Sequence, residues 1–203
     1  MIHAYNKLYL DCARLSLACM LDYAVNDSGI SLNDYWEMFL KSDLSTRFES
    51  GDPFLLAGRS GIEIAIEVLG ERKEPVFKLE KTREYWLGWS LAYYQWYRNV
   101  RFKDINIPID MMLNLYNPYH EMDIMQFCDK IDELLGIDRS VSNIKRIREN
   151  AGLTQHDLAK LTNIPLRSIQ QYEQKQKNIN NARAEYVIML SKVLHCRPEE
   201  LLE

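Results

Sequence analysis

The chain has 203 residues, 47% hydrophobic and 27% charged, with only 8 Gly and 6 Pro; this is globular composition, too poor in turn residues for a many-stranded β protein. Its net charge of −4 divides into −7 over residues 1–139 and +3 over residues 140–203, so only the tail is suited to an anionic partner. No apolar run approaches the roughly 20 residues that span a bilayer, and the opening MIHAYNKLYLDCARLS lacks a basic then apolar leader, so a cytoplasmic protein with no membrane association is expected.

The predicted elements are helical throughout. Residues 4–25 carry Tyr5, Leu8, Leu15, Ala18, Leu21 and Tyr23 with few breakers, and NDSG (26–29) stops the run. Ser31 stands three before Asp34 and predicts a cap for DYWEMFL. DLSTRFES ends at Gly51. In AGRSGIEIAIEVLG the alternation of IEIAI allows a strand, but the Ser60 to Glu63 spacing of a capping box and the closing Gly70 favour a helix. ERKEPVFKLEK (71–81) reads as a charged loop, and NVRFKDINIPID (99–110) as a connection. Asp110 is placed to cap MMLNLY, and residues 118–136 read as the last long helix before the polar GIDRSVSN (136–143). The boundary falls there, giving a helical interaction domain over 1–137 and a second domain over 138–203.

Between the two loops lies EYWLGWSLAYYQWYRN (84–99), which holds three of the four tryptophans. At 100° per residue, Tyr85, Trp86, Trp89, Tyr93, Trp96 and Tyr97 share an arc of about 120°. Tyr94, Leu87 and Leu91 extend it, leaving Glu84, Gly88, Gln95 and Asn99 as a polar strip. A helix apolar over most of its circumference is a buried one. Base stacking needs exposed rings beside cations, and Arg98 is the only cation here, so a central core helix is expected, with a partner groove as the alternative.

No catalytic constellation is present. HEMD (120–123) is not HExxH, and no phosphate loop, nucleophile elbow or Cys–His pair appears. The four cysteines form no CxxC pair, so reduced thiols are expected, with no metal and no cofactor.

The remaining segment carries the chemistry. Thr154 is spaced to cap a helix with Asp157 at its third position, and Leu158, Ala159 and Leu161 follow. Asn163 tolerates the left-handed turn that must follow so short a helix. Pro165 is placed as the first residue of the next helix, and Ile169 and Tyr172 face inward. Helix, tight turn, helix is the helix-turn-helix arrangement. IKRIRENAGLTQHDLA, TNIP, LRSIQQYEQ and EYVIMLSKVLHCRPEELL together resemble the Cro/phage-repressor (XRE) family over about sixty residues. The resemblance implies an all-α fold with a five-helix DNA-binding domain at the C-terminus. It also implies that Gln155 meets a phosphate and that Leu166, Arg167, Gln170 and Gln171 face base edges of double-stranded operator DNA. Side-chain chemistry agrees: the Arg167 fork suits guanine, and the amides of Gln170 and Gln171 suit adenine. Leu166 suits a thymine methyl. Ser168, Gln174, Lys175 and Lys177 flank that face and suit phosphates. The chain departs from the family at EQKQKN, where many members have a glycine. A charge of only +3 implies weak binding by one copy, so a homodimer on two half-sites is expected.

LDYAVNDSG, AGRSGIEIA and WLGWSLAYYQWY in the first half resemble the amino-terminal halves of small bacterial helix-turn-helix proteins encoded beside toxin genes. That resemblance implies an antitoxin that represses its own operon, with a toxin of ADP-ribosyltransferase type as partner. The alternatives are a stand-alone repressor whose first half binds a small effector or only dimerises, and an interaction adaptor with a degenerate helix-turn-helix.

Overall fold

The computed structural model describes residues 3–75, 80–137 and 141–202. Among them every regular element is helical, and they fall into two compact units, residues 3–137 and 141–202. Residues 76–79 of the charged segment 71–81 lie outside the described residues.

The first unit contains α1 (Leu10–Asp22), α2 (Leu32–Lys41), α3 (Asp43–Glu49), α4 (Pro53–Leu56), α5 (Gly61–Leu69), α6 (Arg83–Arg98), α7 (Ile109–Leu113), α8 (Tyr116–Tyr119) and α9 (Ile124–Leu134). α1 is central. It buries residues around most of its circumference, Ala13, Ser16, Leu17, Ala18, Met20 and Leu21 among them, which is the pattern of a helix walled in by neighbours. Those neighbours are chiefly α6 and α5.

Both approach α1 through glycine. A Cβ on Gly88 of α6 would lie 2.4 Å from the Leu17 carbonyl oxygen, and one on Gly61 of α5 would lie 2.1 Å from the Ser16 carbonyl oxygen. Neither glycine has a positive φ, so backbone proximity and not turn geometry requires them. A mid-helix glycine costs about 1 kcal/mol relative to alanine; at Gly88 the close contact of two long helices offsets it.

This contact corrects the expected orientation of α6. Gly88 and Gln95, read as part of an outer polar strip, are buried. Gln95 is 1% exposed, and its Nε2 donates to the carbonyls of Glu49 (3.3 Å) and Val100 (3.1 Å). Leu87, Leu91, Ala92 and Tyr94 are buried with them. Of the six aromatic arc residues only Trp96 is fully buried; Tyr85, Trp86, Trp89, Tyr93 and Tyr97 are half-buried. The reason is steric: backbone can approach backbone only on the side with the small residue, so the bulky rings take the opposite side.

Those rings are not a bare patch. Trp86 meets Tyr116 and Phe127 edge-on at 5.5 and 5.3 Å. Trp96 stacks on His3 at 3.8 Å and donates its indole N–H to the Tyr5 carbonyl at 2.8 Å. The Arg14 guanidinium lies 3.1 Å from the Trp89 ring centre, a cation–π contact. α6 and α9 are joined below the surface by a polar network. Arg98 Nη2 lies 2.5 Å from Asp132 Oδ2, and Tyr94 donates to Asp132 Oδ1 at 2.9 Å.

Three predicted helix starts move. The 4–25 run becomes a 3₁₀ turn at Lys7–Tyr9, capped by Asn6, followed by α1 from Leu10 and a π turn over Tyr23–Asp27. Asp110 does not cap α7. It sits inside the first turn, where its carboxylate accepts from the Asn33 amide, and Pro108 takes the cap position. The 118–136 helix begins only at Ile124, because Asp123 accepts the Met125 N–H at 2.8 Å and ends the preceding segment. The capping box of α5 and its left-handed Gly70 cap are present, so IEIAI is helix and not strand. Ser31 likewise caps α2, accepting the Asp34 N–H at 3.1 Å.

The second unit contains α10 (Asn143–Asn150), α11 (Gln155–Thr162), α12 (Leu166–Glu173) and α13 (Ala184–Leu194), with 3₁₀ turns at Ile179–Asn181 and Pro198–Leu201. Its own core includes Ile144, Leu158, Ile164, Ile169, Leu190 and Leu201. Thr154 and Asp157 form the capping box of α11, and Asn163 ends it at φ 55°. Pro165 stands one position earlier than expected, as the residue before α12, in extended conformation (φ −53°, ψ 132°). There its carbonyl accepts the Ser168 N–H at 2.8 Å, and its missing N–H is not needed.

Candidate nucleic-acid interface

α12 is anchored from its inner side. Ile169 is fully buried, and Tyr172 and Glu173 are nearly so. Glu173 accepts a fork of bonds from Arg148 of α10, Nε to Oε1 at 2.6 Å and Nη2 to Oε2 at 3.0 Å. The Arg148 and Glu173 side chains are 8% and 1% exposed. A third Arg148 nitrogen donates to the Leu153 carbonyl at 2.7 Å, bracing the chain before α11. The hydrogen bond to Glu173 raises the Arg148 pKa further above its already high ordinary value, so the guanidinium keeps its charge. One buried charge pair therefore ties α10 and the entry to α11 to the end of α12.

Gln155 belongs to this anchor. Its Nε2 donates to Glu173 Oε2 at 2.7 Å, which holds the first residue of α11 against the last residue of α12. The residue read as a phosphate ligand thus has a positioning bond inside the domain.

The opposite side of α12 carries the polar residues. At 100° per residue, Arg167, Gln170, Gln171 and Gln174 lie within about 100° of arc. Arg167 and Gln174 are exposed, and Gln170 and Gln171 half-exposed. Leu166 and Ser168, also half-exposed, sit on the two flanks of that arc. The structure therefore brings the six onto one helix side with no buried core residue between them.

After α12 the chain turns at Lys175, which adopts φ 54°, the left-handed region that favours glycine. This is where the glycine of the resembling family is missing. The turn is closed by the Lys175 N–H on the Tyr172 carbonyl (3.1 Å) and the Lys177 N–H on the Gln171 carbonyl (3.0 Å). Lys175 and Lys177 are both exposed.

An open cleft of about 450 Å³ lies beside this turn, lined by Ser168, Tyr172, Gln176, Lys177, Asn178, Asn181, Ala182, Arg183 and Tyr186. It unites Ser168 and Lys177 with a cation that sequence reasoning missed. Arg183 stands just before α13, with its guanidinium 5.9 Å from the Tyr186 ring centre. The signal was present in NINNAR, amides followed by an arginine immediately before a helix. It was masked because helix-turn-helix patterning draws attention to α11 and α12. The Arg148–Glu173 pair was also missed, since twenty-five residues of separation leave no local pattern.

Among the described residues, no group of three or more His, Cys, Asp or Glu is placed to hold a metal ion, and no helix is long and apolar enough to cross a membrane. Cys12, Cys19, Cys128 and Cys196 are not joined in disulfides.

Residues 144–201 match the family described as helix-turn-helix. This segment is an XRE-type helix-turn-helix domain, a DNA-binding regulatory class and not an enzyme class. No curated protein and no solved structure matches the chain.

Proposed function

We propose that the protein is a sequence-specific DNA-binding repressor that reads an operator with the outward face of α12. Its acidic first unit engages a protein partner. The observation that carries the DNA reading is the polarity of α12, with Ile169, Tyr172 and the Arg148–Glu173 fork inside and Arg167, Gln170, Gln171 and Gln174 outside. In this reading Arg167, Gln170 and Gln171 contact base edges, with Leu166 at the margin. Ser168, Gln174, Lys175 and Lys177 hold phosphates, and Arg183 joins them from across the cleft. Gln155 reaches a phosphate with what its Glu173 bond leaves over.

Fluorescence anisotropy with a duplex from the protein's own promoter region tests this. Binding is expected to weaken steeply with salt. Arg167→Ala is expected to lose about 1–3 kcal/mol of discrimination at one base pair while folding normally. Unaltered selectivity in Arg167→Ala sinks the assignment.

The finer role we propose is that of an antitoxin and autorepressor whose first unit binds a toxin. The support is the resemblance carried by LDYAVNDSG, AGRSGIEIA and WLGWSLAYYQWY, together with the −7 charge of residues 1–139, which suits a basic partner. Co-expression with the neighbouring gene, followed by size exclusion with light scattering, is expected to yield a complex that residues 141–202 are not needed to form. A neighbouring product that is harmless when expressed alone, and does not co-purify, returns the protein to the stand-alone repressor reading.

A further inference from the structure

Three of the first unit's own cations lie against rings of α6. The Arg14 guanidinium is 3.1 Å from the Trp89 ring centre, that of Arg98 is 4.8 Å from Tyr97, and the Lys81 ammonium is 4.8 Å from Tyr85. An aromatic face carries the negative part of the ring quadrupole, so it attracts cations. Arg14 Nε and Nη2 are buried and find no hydrogen-bond acceptor, so the ring and not a bonded carboxylate holds them.

Trp86 and Trp96 are covered from within the unit, by Tyr116 and Phe127 and by His3. Trp89, Tyr93 and Tyr97 are half-buried. They stand four residues apart and form one ridge about 12 Å long. Tyr93 and Tyr97 stack at 5.5 Å with 15° between their planes. Two elements border the ridge. α1 does so through Arg14, whose guanidinium is also 5.0 Å from the Tyr93 ring. Beside Arg14 the outer side of α1 carries Leu15, 54% exposed, and the exposed Asp11 one turn earlier. The start of α9 borders the ridge through Met125, whose sulfur accepts the Tyr93 hydroxyl at 3.8 Å. The exposed Asp123 just before it lies within electrostatic reach of that hydroxyl.

We propose that the ridge of Trp89, Tyr93 and Tyr97, with Leu15 and Asp11 beside it, is the surface by which the first unit engages its protein partner, and that the partner lays on it a segment bearing arginine or lysine together with aliphatic side chains. The assignment rests on the reading of the first unit as the part that binds a protein. Ring faces and carboxylates both select cations, and Leu15 selects apolar side chains. Tryptophan, tyrosine and arginine are also the residues that dominate binding energy at protein interfaces. A nucleic-acid strand would stack on such rings too, but its phosphates would meet Asp11, Asp123 and a charge of −7 over residues 1–139.

Calorimetric titration of the full chain with the purified product of the neighbouring gene tests the face. Leu15→Arg is expected to weaken binding at least about tenfold. Asp11→Lys and Tyr97→Leu are each expected to weaken it about threefold or more, whereas Tyr97→Phe keeps the ring and stays within about twofold of wild type. Glu37→Lys makes the same charge change at an exposed position on α2 and serves as the control, also within about twofold. Circular dichroism checks that each variant stays folded. A complex that forms equally well with Leu15→Arg and Tyr97→Leu overturns the assignment, and so does a control that weakens as much as Asp11→Lys. If the neighbouring product does not bind at all, that partner is removed, and a synthetic helical peptide of leucine and arginine decides the face separately. It is expected to bind more tightly than the same peptide with glutamate for arginine, and to lose affinity with Leu15→Arg and Tyr97→Leu. Peptide binding indifferent to both variants, or no peptide binding, removes the face as well. Tyr97-dependent binding of a single-stranded oligonucleotide in place of the peptide overturns it in favour of base stacking.

Discussion

The two units solve the same problem, holding short helices in register, by opposite means. The first relies on backbone proximity: Gly88 and Gly61 let α6 and α5 close on α1, and large rings fill the space left over. The second is less than half the size and has a small core, and one buried ion pair fastens its helices where apolar contact is thin. Small domains have little apolar surface to bury, so a single well-made polar contact weighs more in them. The difference also separates the work. The acidic first unit is a shape built from packing, whereas the second must keep one helix side fixed and polar.

All four tryptophans lie in the first unit, so their fluorescence reports that unit alone and lets the comparison be broken on either side. The largest effect is expected at Arg148. Arg148→Ala leaves Glu173 buried without its partner and should cost the second unit about 3–5 kcal/mol, whereas replacing both with apolar residues of similar volume should be close to neutral. Circular dichroism should show the loss while the tryptophan-reported urea midpoint stays put. A shifted tryptophan midpoint would mean that the units do not melt separately.

Gly88→Ala comes next. Alanine is ordinarily the better helix former, so a gain of up to about 1 kcal/mol is the expectation if only propensity matters. The contact with the Leu17 carbonyl reverses that sign, and a loss of about 1–3 kcal/mol is expected in the tryptophan-reported midpoint. A gain would refute the close-approach account of α6.

Lys175→Gly should move the second unit the other way. Relief of the left-handed lysine is expected to add about 0.5–1 kcal/mol, while removal of its charge lowers the salt dependence of DNA binding by about one counterion. Stability and DNA affinity thus change in opposite directions at one residue.

The smallest effect is a pH dependence in the first unit. Burial holds the Glu49 carboxyl above its ordinary pKa, against the opposing effect of the Phe102 N–H it accepts. The folded state therefore binds the proton more tightly than the unfolded chain. Its stabilising effect is complete below the unfolded carboxyl pKa and is lost as pH rises through the folded value. Glu49→Gln cannot ionise, so its midpoint should gain on wild type as pH rises above the ordinary carboxyl value of about 4. A gap that narrows over that range contradicts the burial argument.

Features set by neighbours in the chain were legible. Ser31 with Asp34, Ser60 with Glu63, and Thr154 with Asp157 each close a cap within four residues, and Asn163 takes the left-handed turn. Helix starts were less so, because Asp110 and Asp123 are equally good cap residues by type and only one of them caps. On α12, the inward Ile169 and Tyr172 followed from spacing, and with them the outward polar face. Arg183 did not, because it joins Ser168 and Lys177 only when the chain folds back beside α12.

The aromatic helix shows where the division lies. Sequence alone determined that residues 83–98 form a helix with too much apolar surface to stand in water, since side-chain type and a 3.6-residue period suffice for that. Tertiary structure decided which side faces α1. Hydrophobicity ranks Trp89 above Gly88, but the core is filled by whatever allows the closest approach, and only the position of the Leu17 carbonyl reveals that it is the glycine.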